Sequence, residues 1–189
     1  IINMKPNYLK PRKLVGENRY FSIFYDFLED HNCNPIEDYI VIQPKIKTKD
    51  GVYAVAVLPI RNGQVGLLSI FRHPLEEKSW EVPGGFIEDG ESDQFSALRE
   101  LREESGFLCE PKNLHDLGIV STSPSTIAAK AHLFIATSCK PSADGRTPEL
   151  GHDRFQWFSK QDINIMIAEG KIQEVCTLIA LYRAENFFN

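Results

Sequence analysis

Three glutamates stand close together in the short sequence RELREE: Glu100, Glu103 and Glu104. On a helix, which turns by about 100° per residue, they fall within an arc of roughly 100°. Carboxylates this close repel one another unless a positive charge offsets them. A divalent cation such as Mg²⁺ takes oxygen ligands of this kind and shares them with the phosphates of a substrate. The spacing alone is compatible with a metal site for phosphate chemistry and with a solvated acidic face paired with Arg99 and Arg102, so the residues before the helix must decide between them.

A helix from 92 to 105 is the element that must position these glutamates. Ser92 is a suitable N-cap, and Gly106 stands where a helix ends in a left-handed residue. The opposite arc of the helix wheel is apolar and predicts a buried face, formed by Phe95, Ala97, Leu98 and Leu101. Just before the helix, Pro83-Gly84-Gly85 predicts a tight turn whose backbone can approach a ligand closely.

The spacing of these residues resembles a known motif. From Gly85 there are five residues to Glu91, seven more to Arg99-Glu100-Leu101, then Glu103-Glu104 and Gly106-Phe107. Every defined position matches the Nudix box, G-x5-E-x7-R-E-U-x-E-E-x-G-U with U apolar. The resemblance implies an α/β/α sandwich with a mixed β-sheet, and metal-dependent hydrolysis of a nucleoside diphosphate linked to another moiety.

The similarity extends beyond this motif, over residues 52–185. The sequence FRHPLEEKSWEVPGGFIEDGE is similar to ADP-ribose and nucleoside diphosphate sugar pyrophosphatases of this superfamily. The implied reaction splits the pyrophosphate into a nucleoside monophosphate and a sugar phosphate. Residues 1–50 are only loosely similar to the β-rich subdomain through which that group dimerises. The resemblance therefore implies a homodimer, with a catalytic domain over 51–189.

The resemblance also implies roles for individual side chains. Glu100 and Glu104 bind Mg²⁺, or Mn²⁺ as the alternative, with help from the Gly84 carbonyl. Glu103 binds metal or is oriented by Arg99. Glu91 braces the turn before the helix. The general base lies outside the motif, in the polar loop 140–153, where Glu149 is the only glutamate. A surface glutamate is the alternative, with His152 and Asp153 as further candidates for the base.

Four residues are candidates for substrate binding. Arg72 suits a phosphate because its planar guanidinium donates two parallel hydrogen bonds, although a surface arginine is the alternative. Trp80 is either a wall of the substrate pocket or part of the core, and Glu81 is a candidate for a ribose hydroxyl. Pro124 stands 17 residues after Phe107, where the group commonly has a proline. The residues after Pro124 lack the acidic residue that is usual there, so the identity of the sugar nucleotide substrate stays open.

The remaining pattern alternates strands and helices, which predicts a mixed sheet with flanking helices. Residues 1–16 are rich in Lys and Pro and are expected to form an arm. Asn62-Gly63 between two apolar runs predicts a hairpin. The predicted strands are 20–28, 37–46, 52–60, 64–72, 80–87, 114–122, 129–139 and 154–159, and the later helices are 160–169 and 172–188.

Composition excludes several classes of partner. The net charge of −5 argues against nucleic acid as a bulk partner, because phosphate backbones require clustered Lys and Arg. No apolar run approaches the ~20 residues of a membrane span, and no signal peptide is recognisable. The four cysteines form no CxxC pair and are expected to be free thiols in the cytoplasm.

Two alternative functions stay open at this point. One is a different Nudix hydrolase, acting on a dinucleoside polyphosphate, NADH or an mRNA cap. The other is a non-catalytic sensor that binds a nucleotide sugar, although all carboxylates of the motif are present here.

Overall fold

The computed structural model describes residues 6–46 and 48–187. The chain forms two compact units, one from the residues up to Tyr53 together with Ser121–Lys130, and one from Ala54–Val120 together with the residues from Ala131 onwards.

The strands are β1 Asn7–Glu17, β2 Phe21–Glu29, β3 Pro35–Pro44, β4 Val52–Arg61, β5 Gln64–Arg72, β6 Glu77–Glu81, β7 Gly84–Phe86, β8 Phe107–Leu108, β9 Leu114–Val120, β10 Lys130–Ala136, β11 Lys140–Pro141 and β12 His152–Phe158. The helices are α1 Asp93–Glu100, α2 Lys160–Ala168 and α3 Val175–Arg183, with 3₁₀ turns at Lys49–Gly51, Pro111–Asn113 and Glu185–Phe187 and a π-helical turn at Leu101–Ser105.

The first unit is a three-stranded antiparallel sheet in the order β1-β2-β3. The arm was predicted for residues 1–16, and this was wrong for residues 7–16, which belong to the edge strand β1, while residues 1–5 lie outside the described part of the chain. One reason is the Arg12 guanidinium, which donates to the buried Asp26 carboxylate of β2 from Nε at 3.0 Å and Nη2 at 2.8 Å. A buried carboxylate needs such a partner, so the basic residues of β1 contribute to the sheet.

The segment 121–130 runs along β3 in this unit. The Ile42 amide donates to the Thr126 carbonyl at 2.8 Å, and the Ala128 amide donates to the Ile42 carbonyl at 2.9 Å. The Tyr39 hydroxyl also donates to the Ser125 carbonyl at 2.7 Å. These bonds fix the loop that contains Pro124.

The second unit is built on a seven-stranded sheet with the path β12-β5-β4-β10-β9, to which β6 adds beside β5 and β7 beside β4. The hairpin between β4 and β5 is confirmed. Asn62 and Gly63 both have positive φ, 52° and 73°, between the paired residues Arg61 and Gln64. Positive φ at both central residues is the two-residue turn that Asn-Gly favours.

Helices cover both faces of this sheet, as the predicted α/β class requires. One face carries α2 and α3, and the shared core contains Leu58, Leu67, Leu133, Ile163, Met166, Cys176 and Ala180. Alternate strand residues such as Val57 and Phe134 point to the second face and are also buried. Ala97 and Leu101 lie on that side, where the π-helical turn contacts β5 and β12.

The helix ends follow from their capping residues. The Ser159 hydroxyl accepts from the Asp162 amide and the Asp162 carboxylate accepts from the Ser159 amide, each at 3.1 Å, which starts α2. The Glu174 carboxylate accepts from the amides of Cys176 and Thr177, so α3 begins at Val175 and not at 172. None of the helices in the described part of the chain has the length and apolar character that a bilayer span requires.

Candidate active site

The helix that carries the glutamates begins and ends at the predicted residues. The Ser92 hydroxyl accepts from the Phe95 amide at 3.3 Å, and Gly106 ends the helix with a φ of 74°. Between them, α1 passes into a π-helical turn that contains Glu103 and Glu104. Such turns occur often at functional sites, because the extra residue rotates the side chains that follow.

The acidic face of the helix is turned into the protein. Glu100 is 6% exposed and Glu104 is 3% exposed, which argues against a solvated acidic face for these two residues. The predicted apolar face is smaller than expected. Ala97 and Leu101 are fully buried, but Phe95 is 59% exposed, so its burial was wrongly predicted. The first turn does contact the sheet, because the Asp93 carboxylate lies 2.7 Å from His132 Nδ1 of β10 and Ser96 is fully buried, so Phe95 faces away from this contact.

Arg99 connects the carboxylates of this region. Its guanidinium donates to Glu91 at 3.0 Å, to Glu100 at 2.7 Å and to Glu103 at 3.3 Å, and also to the carbonyl of Phe86 at 2.9 Å. The hydrogen bonds from Arg99 lower the pKa of Glu91. Arg99 therefore holds three carboxylates in fixed positions relative to the glycine turn.

Glu91 lies at the junction between the loop and the helix. In addition to Arg99 it accepts a hydrogen bond from the Ser96 hydroxyl at 2.5 Å and one from the Glu88 amide at 3.3 Å. These contacts join the turn before α1 to its second turn.

The two glycines of β7 allow the backbone to approach the glutamates. The Gly84 amide donates to Glu104 Oε2 at 2.7 Å. A Cβ at Gly85 would lie 2.4 Å from Glu100 Oε1, and a Cβ at Gly84 would lie 2.4 Å from the Val55 carbonyl oxygen. Any larger residue would displace either a carboxylate or the neighbouring strand, so the site requires glycine here.

Burial changes the acidity of both buried glutamates. It raises the pKa of Glu100, and it raises the pKa of Glu104 to about 8. The hydrogen bond from the Gly84 amide lowers the pKa of Glu104, but the nearby negative charges of Glu100 and Glu149 raise it further. Two buried carboxylates that are costly to ionise are stabilised by a cation. The oxygen donors here are the ligands that hard divalent ions prefer.

The loop before β12 lies against the end of the same helix. The Thr147 amide donates to the Glu103 carbonyl at 2.7 Å, the Arg146 Nε donates to the Glu104 carbonyl at 2.7 Å, and the Ser142 amide donates to the Gly106 carbonyl at 2.8 Å. Carbonyls at the C-terminal end of a helix have no hydrogen-bond partner within the helix itself. The loop therefore satisfies them and is itself held beside the glutamates.

This loop brings Glu149 and His152 to Glu104. One ligand atom from each of the three side chains lies within 4.8 Å of the others. The His152 side chain is buried, and Glu149 is exposed. Asp153 points elsewhere, because its carboxylate pairs with Lys78 at 3.0 Å. Of the three residues considered for the base, Glu149 and His152 are at the carboxylate cluster.

Arg72 and Glu81 contact each other directly. The guanidinium donates from Nη2 at 2.6 Å and from Nε at 3.1 Å to a carboxylate that is 3% exposed. Trp80, the preceding residue of β6, faces the other side and packs edge-on against Phe158 with ring centroids 4.8 Å apart. Pro124 belongs to the other compact unit, and its role stays a prediction.

Sequence reasoning missed Arg146 and ranked His152 only as a reserve. Arg146 is 42 residues from the carbonyl that it binds, and no motif marks it. His152 follows Gly151, whose φ is 88° and whose Cβ would lie 2.4 Å from the Phe71 carbonyl oxygen. A glycine before a histidine was the one available signal that the chain turns inward at this point.

Comparison with known proteins shows the family of the chain. The family model of the NUDIX domain matches residues 51–176, and the chain belongs to this family. It is 37% identical over 103 residues to an ADP-ribose pyrophosphatase of Bacillus subtilis (strain 168), covering 54% of each chain. It is 40% identical over 116 residues to an ADP-sugar pyrophosphatase of Mus musculus, covering 56% of this chain and 53% of the relative. It thus spans about half the length of these curated relatives.

A solved structure supports the fold over nearly the whole chain. The crystal structure of an ADP compounds hydrolase superposes with a TM-score of 0.78 at 21% identity, covering 97% of this chain and 94% of that one. The predicted Nudix fold is therefore confirmed, including a β-rich N-terminal extension.

Proposed function

We propose that this chain is a divalent-metal-dependent hydrolase that cleaves the pyrophosphate of ADP-ribose or a related nucleoside diphosphate sugar. The products are a nucleoside monophosphate and a sugar phosphate. The observation that carries the proposal is the buried pair Glu100 and Glu104 beside the Gly84-Gly85 turn. The names of the relatives support this substrate class.

Glu100, Glu103, Glu104 and the Gly84 carbonyl would hold the metal, which we propose to be Mg²⁺ with Mn²⁺ as the alternative. When bound, the ion draws electron density from the phosphoryl oxygens and offsets their negative charge. Arg99 keeps Glu100 and Glu103 oriented through its hydrogen bonds. The raised pKa of Glu104 means that this carboxylate is costly to ionise without a cation, which fits a metal ligand.

Glu149 is our candidate for the general base. Its carboxylate is exposed, so a water molecule and a substrate can reach it, and it lies within 4.8 Å of the Glu104 ligand atom. It would accept the proton of the water that attacks phosphorus. The loop that carries it is hydrogen-bonded to the carbonyls of Glu103 and Glu104, so the base is held beside the metal ligands.

We propose that Arg72 binds a substrate phosphate, oriented by the buried Glu81. The Arg72 side chain is 48% exposed although two of its nitrogens bind Glu81. The assignment of Glu81 to a ribose hydroxyl is less favoured, because its carboxylate is engaged by Arg72. The contact between Trp80 and Phe158 supports the packing alternative for Trp80. Pro124 remains a candidate on the loop attached to β3.

We further propose a homodimer formed through the N-terminal sheet, in the reducing environment of the cytoplasm. That sheet exposes large apolar side chains, among them Tyr8, Leu14, Tyr25, Tyr39 and Ile40. Such a surface is typical of an interface. The free thiols of all four cysteines support a reducing compartment. Light scattering tests the dimer, and a mass near the 21.5 kDa of one chain would exclude it.

A substrate panel tests the function. The protein is incubated with Mg²⁺ and ADP-ribose, GDP-mannose, UDP-glucose, NADH, a dinucleoside polyphosphate or a capped RNA, and the products are separated by ion-exchange chromatography. We expect the sugar nucleotides to be cleaved and the reaction to stop with a chelator. Preferred cleavage of a dinucleoside polyphosphate or NADH would identify a different Nudix hydrolase. Tight binding of one compound without cleavage of any would identify a sensor.

A further inference from the structure

One side chain at the site has no role in the proposal above. His152 is the first residue of β12, and its side chain is 5% exposed. Its Nε2 lies 3.3 Å from Glu104 Oε1, and its Nδ1 is buried without a hydrogen-bond partner among the described residues. The nitrogen that faces Glu104 is Nε2, and its position beside this carboxylate favours a role as a metal ligand.

The distance to Glu104 fits a pair of ligands on one ion. Metal–ligand bonds of about 2.1 Å place two neighbouring ligands of one ion roughly 3 Å apart. The separation of 3.3 Å between His152 Nε2 and Glu104 Oε1 is close to this value. Glu149 offers a further oxygen within 4.8 Å.

The backbone fixes the histidine in this place. The His152 amide donates to the Glu149 carbonyl at 3.0 Å, and the Phe71 amide donates to the Gly151 carbonyl at 2.8 Å. Gly151 has a φ of 88° and cannot carry a Cβ without contacting the Phe71 carbonyl oxygen at 2.4 Å. The turn before β12 therefore directs His152 inward by several independent contacts.

We propose that His152 supplies a nitrogen ligand to a divalent ion that Glu104 also binds, which rests on the metal-dependent function proposed above. Glu149 stays beside this pair as the base. Imidazole nitrogen binds Mn²⁺, Co²⁺ and Zn²⁺ in preference to Mg²⁺, which favours oxygen ligands and water. Such a mixed nitrogen and oxygen donor set strengthens the binding of Mn²⁺, the alternative ion of the proposed function, relative to that of Mg²⁺.

Pulsed electron paramagnetic resonance of the Mn²⁺-loaded protein tests this assignment without measuring activity. We expect electron spin echo modulation from a directly bound ¹⁴N in the wild type. The modulation is lost in His152→Gln, which keeps a polar side chain of similar size, and is retained in His31→Gln, which replaces an exposed histidine of the N-terminal unit. The dissociation constant for Mn²⁺ rises by roughly tenfold or more in His152→Gln, while that for Mg²⁺ changes much less.

Labelling keeps the test decisive if His152→Gln does not fold. Wild-type protein grown with ¹⁵N-histidine must then show the modulation frequency of ¹⁵N in place of ¹⁴N. Bound Mn²⁺ without any histidine modulation overturns the His152 assignment and leaves the hydrolase proposal standing. Histidine modulation in a protein that cleaves nothing in the substrate panel supports the assignment and overturns the hydrolase proposal.

Discussion

Replacing Glu104 with glutamine should stabilise the metal-free protein at alkaline pH while removing its function. Burial raises the pKa of Glu104 from 4.5 to about 8 in the folded state. Between these values the folded protein keeps a proton that the unfolded chain has lost, so stability falls as pH rises. The contribution is complete below about pH 4.5 and is lost as pH rises through about 8. Each unit of pKa corresponds to about 1.4 kcal/mol, so the cost of ionising Glu104 is on the order of 3–5 kcal/mol.

Glutamine in this place is neutral at every pH and can still accept the hydrogen bond from the Gly84 amide. Urea unfolding with a chelator present, followed by tryptophan fluorescence, measures the effect at about pH 5 and about pH 8.5. Glu104→Gln should match the wild type within about 1 kcal/mol at the lower pH and exceed it by roughly 3–5 kcal/mol at the higher one.

The control Glu37→Gln replaces an exposed glutamate and should leave the pH profile unchanged. A Glu104→Gln protein that is less stable than the wild type at alkaline pH, or a difference that does not depend on pH, would refute the reasoning. In either case the buried carboxylate would not be destabilising when charged.

Three further substitutions probe the same site. Glu149→Gln should lower turnover by ~10²–10⁴ with little change in unfolding free energy, and near-wild-type turnover in a steady-state assay would exclude Glu149 as the base. Gly85→Ala places a Cβ 2.4 Å from the Glu100 carboxylate and should lower turnover by roughly 10²-fold, whereas Gly16→Ala, with its nearest neighbour 3.9 Å away, serves as the unaffected control. Arg146→Ala removes the hydrogen bond to the Glu104 carbonyl. It should lower kcat by roughly tenfold, because the loop that carries Glu149 is then held less well in position. A double-mutant cycle checks this, because in a Glu149→Gln background the Arg146 substitution should have little further effect.

Local signals in the sequence were sufficient for much of the scaffold. The Asn62-Gly63 turn, the cap at Ser92 and the left-handed Gly106 each depend on the conformational preference of one or two residues. The spacing from Gly85 to Gly106 was sufficient for the family, which the match over residues 51–176 confirms.

The remaining features depend on contacts between residues that are distant in the chain. The burial of Phe95 was predicted from a helix wheel, but exposure depends on which side chains of the helix pack against the sheet. The strand β1 is held by its antiparallel pairing with β2, to which the ion pair between Arg12 and Asp26 contributes. The inward position of His152 and the bond from Arg146 to the Glu104 carbonyl depend on how the loop 142–151 meets the helix. Apart from the glycine before His152, no local pattern indicates these contacts.

The central claim is that water cleaves the pyrophosphate of a sugar nucleotide at a site where buried carboxylates would hold a divalent ion. Phosphorus NMR of ADP-ribose with the protein and Mg²⁺ or Mn²⁺ tests it most directly, with Glu104→Gln as the matched inactive variant. We predict that the two diphosphate resonances disappear and that two phosphomonoester resonances appear in equal amounts, only in the wild type and only with the metal. Unchanged diphosphate resonances for ADP-ribose and the other sugar nucleotides, or equal cleavage by Glu104→Gln, would contradict the claim.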